Sequence, residues 1–362
     1  MFHVPKLILQ FLLLLQLLNL LPHSIPNKIP TKHQIPTICI TIKKLKRRYK
    51  IVFKSRLIIT MVSVLVSCAM RAQYDVAFSH YFDMEPSFNA GAVGKQAKLN
   101  VTAAYAMAMA GFENNPQTMY ASADIPFYFA KGLHGAGVQF MNDKIGLFTH
   151  QRLAVQYAYK HKLFGGMISG GISVGLLSEG FDGSRLDLEE SGDNALPTSK
   201  VDGSGLDLGV GLYYTHGPWY AGVSVQHVNS PCISLERSEL QIDPTYYLTG
   251  GYNIKLRNPF LTVAPSMLVR YDGVTYRADI TGRLIYRNDK KTMYGGLSYS
   301  PDNSITFLVG GSVHGVILGY SYEMYTSAIT PDNGSHELFL GYQMDINLIK
   351  KGKNKHKSVR IL

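Results

Sequence analysis

The residues able to do chemistry in this chain are scattered. Histidines such as His134, His150, His227 and His314 share no metal-ligand spacing, and Cys39, Cys68 and Cys232 form neither a C-x-x-C pair nor an even disulfide framework. No G-x-S-x-G elbow, H-E-x-x-H, P-loop or G-x-G-x-x-G occurs. A hydrolase acting on lipid would need a Ser/His pair turned toward the membrane, and Ser224 or Ser321 would have to supply its serine. Between Ser178 and Gly203 the acids Glu179, Asp182, Asp187, Glu189, Glu190, Asp193 and Asp202 crowd together. They lack the D-x-[DN]-x-[DN]-G order that wraps calcium and read as a solvated loop. The expectation is a non-enzymatic protein with no cofactor, no metal and no small-molecule substrate.

The elements that carry these residues repeat every two positions. In Val274 to Tyr286 the even positions include Val274, Tyr276, Ile280, Leu284 and Tyr286, while the odd ones include Arg277, Asp279 and Arg283. One face is apolar and the other charged, the signature of a strand between two different solvents. Thr245 to Leu256 and His336 to Ile346 repeat the pattern. About fourteen such segments lie between turn signals, near 98–112, 117–129, 132–142, 147–160, 162–178, 203–215, 218–229, 244–256, 259–271, 274–288, 291–300, 304–312, 314–326 and 335–348.

Most of these segments have the reach of a tilted membrane strand, and their number is even. Two sandwich domains or small barrels would need a linker, and none is visible; closure into one cylinder removes the edges of so large a sheet. The fold class is all-β: a single transmembrane up-and-down antiparallel β-barrel of about 14 strands over 98–349. Its apolar set faces lipid, leaving Arg277, Asp279, Arg283, Glu337 and Asp345 to line the interior. Tyrosines near strand ends, among them Tyr157, Tyr159, Tyr213, Tyr214, Tyr246, Tyr286, Tyr320 and Tyr322, suit interfacial girdles. Short turns are expected at His161-Lys162, His216-Gly217 and Arg257-Asn258-Pro259, against the long acidic stretch at Ser178 to Gly203. Gly pairs such as Gly170-Gly171 and Gly310-Gly311 fall inside strand patterns, where they suit bends and close packing.

Composition agrees: 46% of the 362 residues are apolar and only 17% charged. The formal charge of +11 belongs to the ends. Residues 1–73 carry twelve Lys/Arg and no acid, residues 350–362 carry six and no acid, and the body between holds 25 acids against 18 bases. A nucleic-acid partner, which needs a basic patch on the folded surface, is therefore not expected.

Residues 1–73 read as a targeting region, with a signal peptide over about 43–73. Lys43 to Lys50 is cationic, Leu57 to Met70 is an apolar run of signal-peptide length, and Ala72-Gln73 offers a cleavage site. Leu65-Val66-Ser67-Cys68 resembles a lipobox, with Cys68 inside an ordinary apolar run as the alternative. A second apolar run at Leu7 to Leu21 suggests that translation starts further on, between about 41 and 56. The basic tail 350–362 lies against anionic headgroups, reaches a periplasmic partner or is simply solvated.

In order along the chain, FSHYFDMEPSFNAGAVGKQAKLNVTAAY from Phe78, GFENNPQTMYASADIPF from Gly111, HGAGVQFMNDKIGLF from His134, LAVQYAYKHKL from Leu153, YYLTGGYNI from Tyr246, LGYSYEM from Leu318 and GSHELFLGY from Gly334 closely resemble the PorP/SprF family. Its members are outer-membrane barrels of the type IX secretion system of the Bacteroidetes. The chain departs from the family's usual N-P-A-x-x-G opening: Ala90 follows Asn89 where proline is common, although Gly94 takes the place of the last glycine. It also ends in Ile361-Leu362 rather than in an aromatic residue. The resemblance implies a barrel in the cell outer membrane, surrounded by its lipids. Its partners would be type IX components and secreted surface proteins, including adhesins of gliding motility, with a passive or fatty-acid-type channel as the alternative. Residues 74–97 form an N-terminal periplasmic or lumenal segment ahead of the first strand, which plugs the barrel, docks a periplasmic partner or simply leads into strand one. Pro86, Asn89, Gly91, Gly94 and Glu337 are the motif or partner-docking positions.

Overall fold

A computed structural model describes residues 75–185, 199–236, 238–289, 291–326 and 333–347. The signal-peptide segment with Cys68, the acids Asp187, Glu189, Glu190 and Asp193, and the basic tail lie outside these residues. Among the described residues no helix is long and apolar enough to cross a membrane.

The chain is built from strands. The first seven are β1 (Lys98–Met107), β2 (Gln117–Phe129), β3 (Gly132–Ile145), β4 (Phe148–Leu163), β5 (Gly166–Asp182), β6 (Lys200–His216) and β7 (Trp219–Gln226). A short hairpin, β8 (Cys232–Leu235) with β9 (Ser238–Gln241), interrupts the series. It resumes with β10 (Thr245–Tyr252), β11 (Ile254–Lys255), β12 (Leu261–Tyr271), β13 (Tyr276–Asn288), β14 (Lys291–Ser300), β15 (Ser304–Val313), β16 (Val316–Tyr325) and β17 (Ser335–Asp345). β10 and β11 both pair with β12 and are one barrel strand broken at Asn253. Each barrel strand pairs antiparallel with the next barrel strand, β7 with β10 across the inserted hairpin, and β1 closes the ring on β17, with Lys98 opposite Asp345 and Met107 opposite His336. The result is a closed 14-stranded antiparallel barrel.

Burial runs opposite to that of a water-soluble protein. Along β4, Arg152, Gln156 and Lys160 are buried, whereas Leu153, Val155, Tyr157 and Tyr159 are exposed, Val155 at 64%. In β5, Ser169 and Ser173 are buried and Ile172, Val174 and Leu176 exposed. An apolar exterior around a polar interior is stable only if hydrocarbon is the outer solvent, because unpaired polar groups are costly in lipid and apolar ones costly in water. Tyr105, Tyr246, Tyr271, Tyr276 and Tyr299 face outward near one rim, and Tyr159, Tyr252, Tyr286 and Tyr342 near the other.

The two rims differ. At one, the turns are tight: Ala130-Lys131, Phe164-Gly165, Gly217-Pro218 and His314-Gly315 each join two strands. At the other lie the longer connections 108–116, 183–199, 227–244 and 326–334. Three sequence expectations need correction. His161-Lys162 is not a turn; β4 continues to Leu163, and the chain reverses at Phe164 and Gly165, where φ is positive. The long acidic connection is shorter than expected, because β5 carries Glu179 and Asp182 and β6 carries Asp202 in register. Tyr213 belongs to no girdle: it is buried and donates to the Glu85 carboxylate at 2.8 Å.

Residues 75–97 run inside the barrel. They begin near the long-loop rim, where Asp75 meets His227 and Tyr247, and end at the tight-turn rim, where β1 starts. Two 3-10 turns, Glu85–Ser87 and Ala90–Ala92, give the segment its compactness; Pro86 sits in the first turn of one, and the Asn89 side chain caps the other. At the long-loop end the hairpin β8–β9 folds against the inner face of β5 and β6: Ile233 packs on Leu177, and Leu235 on Phe181 and Val201.

Candidate functional site

The interface between this plug and the barrel wall is the most elaborate polar site among the described residues. Apolar anchors set its core. Phe78 and Met84 pack with Ala104, Tyr120 and Phe339; Tyr81, Phe82 and Phe88 pack with Tyr247, Leu268 and Leu308. Removing such side chains from water supplies most of the drive for insertion. Hydrogen bonds then set the register.

Glu337, on the lumenal face of β17, receives three plug donors: the Ser79 N–H at 2.6 Å on Oε2, and on Oε1 the His80 N–H at 3.0 Å and the His80 ring Nδ1 at 2.7 Å. His80 stacks on Phe339. The Pro86 carbonyl accepts Gln156 Nε2 at 2.8 Å, and the Phe88 carbonyl accepts both Ser224 Oγ and Gln226 Nε2 at 2.7 Å. Asn89 donates through Nδ2 to the Leu212 carbonyl at 3.1 Å and accepts the Gly91 N–H at 2.8 Å. Gly94 donates its N–H to Asp124 Oδ2 at 2.7 Å, with φ +63°, a conformation that favours glycine. Pro86, Asn89, Gly91, Gly94 and Glu337 thus all lie where plug and wall touch.

The wall makes room for this contact with missing side chains. A Cβ on Gly135 would stand 2.2 Å from the Val93 carbonyl oxygen, one on Gly171 2.3 Å from that of Ala90, and one on Gly211 2.0 Å from Asn89 Oδ1. On the lumenal face of a strand, glycine here marks backbone meeting backbone.

At the long-loop end, Asp75 joins plug to wall by charge. Its Oδ1 lies 3.0 Å from His227 Nε2, its Oδ2 accepts Tyr247 O–H at 2.6 Å, and its carbonyl accepts Arg270 Nη1 at 2.8 Å. His227 Nδ1 is 2.7 Å from Asp207, which also accepts Arg152 Nε at 2.7 Å. Burial alone would raise the Asp75 carboxyl, but the His227 charge and the hydrogen bonds from His227 and Tyr247 hold it well below the usual carboxylate range. Burial alone would lower His227; the two carboxylates outweigh it and push the imidazole up to about 9.

At the tight-turn end the plug's underside, with Phe82, Asp83 and Glu85, faces a vestibule of about 1030 Å³ that opens at the rim. The Arg283 guanidinium lies 3.4 Å from the centre of the Phe82 ring, and Lys95 pairs with Glu85. Of the expected interior residues, Arg277, Asp279, Arg283 and Glu337 face the lumen; Asp345 is exposed at its mouth, beside Lys98. Ser224 and Ser321 are both buried on the lumenal side, away from lipid, and Ser224 is engaged by the plug. No metal-holding cluster of His, Cys, Asp or Glu occurs among the described residues.

Sequence reasoning did not single out Asp75, His80, Glu85, Arg152 or Asp207, and took His227 only as one of several scattered histidines. The polar faces of the strands contained the signal, since Arg152, Gln156 and Lys160 recur at every second position of one face of β4. Their partners across the lumen are not deducible from a single strand.

Fourteen antiparallel strands, lipid-compatible outside and sealed by their own N-terminal segment inside, define an outer-membrane β-barrel. The chain belongs to the family of type IX secretion system membrane proteins PorP/SprF, whose pattern it matches over residues 70–342. No curated protein matches the sequence. Solved structures similar to it include the CymD monoaromatic hydrocarbon channel, at 11% identity and TM-score 0.45, covering 70% of this chain and 89% of that one. A Pseudomonas aeruginosa FadL homologue is similar at 10% identity and TM-score 0.42, over 69% and 90%. The KdgM porin is similar at 10% identity and TM-score 0.33, over 68% and 99%.

Proposed function

We propose that this chain is a non-enzymatic outer-membrane component of type IX secretion that assists the export or surface anchoring of secreted proteins, gliding adhesins among them. It reaches the membrane through a signal peptide at about 43–73, and its tight-turn rim faces the periplasm, following the usual placement of short turns in bacterial barrels. The observation that carries this reading is the plug: residues 75–94 occupy the lumen and are hydrogen-bonded to its wall along their length, which disfavours a standing path for small solutes. A passive or fatty-acid-type channel is the weaker reading for the same reason.

The outer rim supports a role at the surface. β4, β5 and β6 are 16, 17 and 17 residues long, against 10 for β14, β15 and β16, so this side of the barrel extends past the hydrocarbon. Its outward face there is polar, with Thr149, Gln151, Ser178, Asp182, Lys200 and Asp202 around a cleft of about 410 Å³.

Deleting the gene and quantifying proteins at the cell surface and in the medium tests the proposal. A defined subset of secreted proteins should disappear and return on complementation with the intact chain. An unchanged complement of surface and secreted proteins would overturn it.

A further inference from the structure

We propose that residues 75–94 are a hinged gate, latched to the wall at the long-loop end and free to swing out through the tight-turn end. This inference rests on the plug contacts and does not require the secretory assignment.

The latch has two parts. Asp75 is held by His227, Tyr247 and Arg270, and the Ser79–His80 backbone is held by Glu337. All of these bonds join side chains or termini of hydrogen-bonding groups across an interface; among the described residues, no backbone-to-backbone ladder joins the plug to a strand. The plug can therefore leave without unzipping the barrel.

The hinge lies at the other end. Gly94, with φ +63°, is followed by Lys95, Gln96 and Ala97, which are exposed, and then by β1. This strap is the covalent tether, and it sits beside the vestibule.

Direction follows from what surrounds the plug. Toward the long loops the β8–β9 hairpin narrows the lumen from the β5–β6 side, with Ile233 and Leu235 buried against Leu177, Phe181 and Val201. Toward the tight turns the vestibule of about 1030 Å³ is open and the tether already lies there. The open space and the tether are on the same side of the plug. Two buried polar atoms near the latch, His80 Nε2 and Tyr294 Oη, have no hydrogen-bond partner and stand 2.8 and 2.9 Å from the Cβ position of Gly319. The plug is thus seated without satisfying every polar group it buries, as suits an element that must also leave.

Single-channel recording in planar bilayers tests this, in a Cys232→Ser background. The intact protein should be silent. Asp75→Ala with Glu337→Ala, which breaks both parts of the latch, should show openings. Adding Asn89→Cys and Gly211→Cys supplies a lock, because the Asn89 Cγ position is 2.9 Å from the Gly211 Cβ position, close to the Sγ–Cβ separation across a disulfide. The locked, latch-broken protein should be silent when oxidised and should conduct after reduction. Heat-modified mobility on gels checks that each variant forms the barrel, and a variant lacking residues 75–94 calibrates the open lumen. Silence of the folded latch-broken protein while the deletion variant conducts would overturn the gate, as would openings that ignore the disulfide.

Discussion

Glu337 collects three donors from two consecutive plug residues, so its loss strands them all in a water-poor interior. Glu337→Ala should lower barrel stability by roughly 2–4 kcal/mol, the cost of leaving buried donors unpaired, read as the midpoint of heat-modified mobility in detergent. Glu337→Gln, which keeps one acceptor oxygen, should lose less. A lumenal glycine and a lipid-facing one offer a sharper contrast. Gly135→Ala places a methyl 2.2 Å from the Val93 carbonyl, and strand and plug backbone must part to admit it. Gly282, on the outward face of β13 with nothing within 4 Å of its Cβ position, has no such conflict. Protease nicking of the plug should therefore rise in Gly135→Ala and stay unchanged in Gly282→Ala; equal nicking would mean the close approach at Gly135 is not what seats the segment.

The plug as an element is fastened by charge at its N-terminal end, and charge responds to pH. His227 is raised from an ordinary value of 6.5 to about 9, so its contribution is complete below about 6.5 and is lost as pH rises through about 9. The shift corresponds to roughly 3 kcal/mol at full expression. Asp75 is depressed, so its contribution is present above the ordinary carboxylate pKa and is lost only as pH falls below it. Plug protection against protease should therefore be flat from about pH 5 to 6.5 and decline toward pH 9 and beyond. His227→Ala should abolish that decline by removing the titrating group; a decline of the same size in the variant would assign it elsewhere. The expected lead-in segment of 74–97 was legible as turn-rich, from Pro86, Asn89, Gly91 and Gly94. Its path through the lumen was not, because its contacts reach strands all round the barrel, at separations from 30 positions for Gly94 and Asp124 to 258 for Ser79 and Glu337.

For the whole molecule, the solvent contrast decides where charge is tolerated. Val155→Arg puts a cation on the lipid face near mid-strand and should cost roughly 2–4 kcal/mol, whereas a polar exchange at lumenal Gln156 alters only plug contacts. Refolding midpoints in lipid vesicles would show whether the penalty follows the alternation. Neutral behaviour of Val155→Arg would contradict a hydrocarbon-facing exterior.

Period-two polarity determined the strands, their number and which face meets lipid, since a strand's alternation is a local property and a tilted membrane strand has a set length. The charged faces of β13 and β17 were legible for that reason, and the family was legible from the ordered run of resembling segments between Phe78 and Tyr342. Turn positions were less so: nothing local told Phe164-Gly165 from His161-Lys162, because β4 outlasts the apolar run that marks it. Tertiary structure alone decided that residues 75–97 enter the barrel, that Glu337 and Asp75 hold them, that lumenal glycines such as Gly135, Gly171 and Gly211 yield to them, and that β8 and β9 fold against β5 and β6. Those outcomes depend on the curvature of a closed sheet, which brings distant strands around one narrow space, and no single segment encodes who stands opposite it.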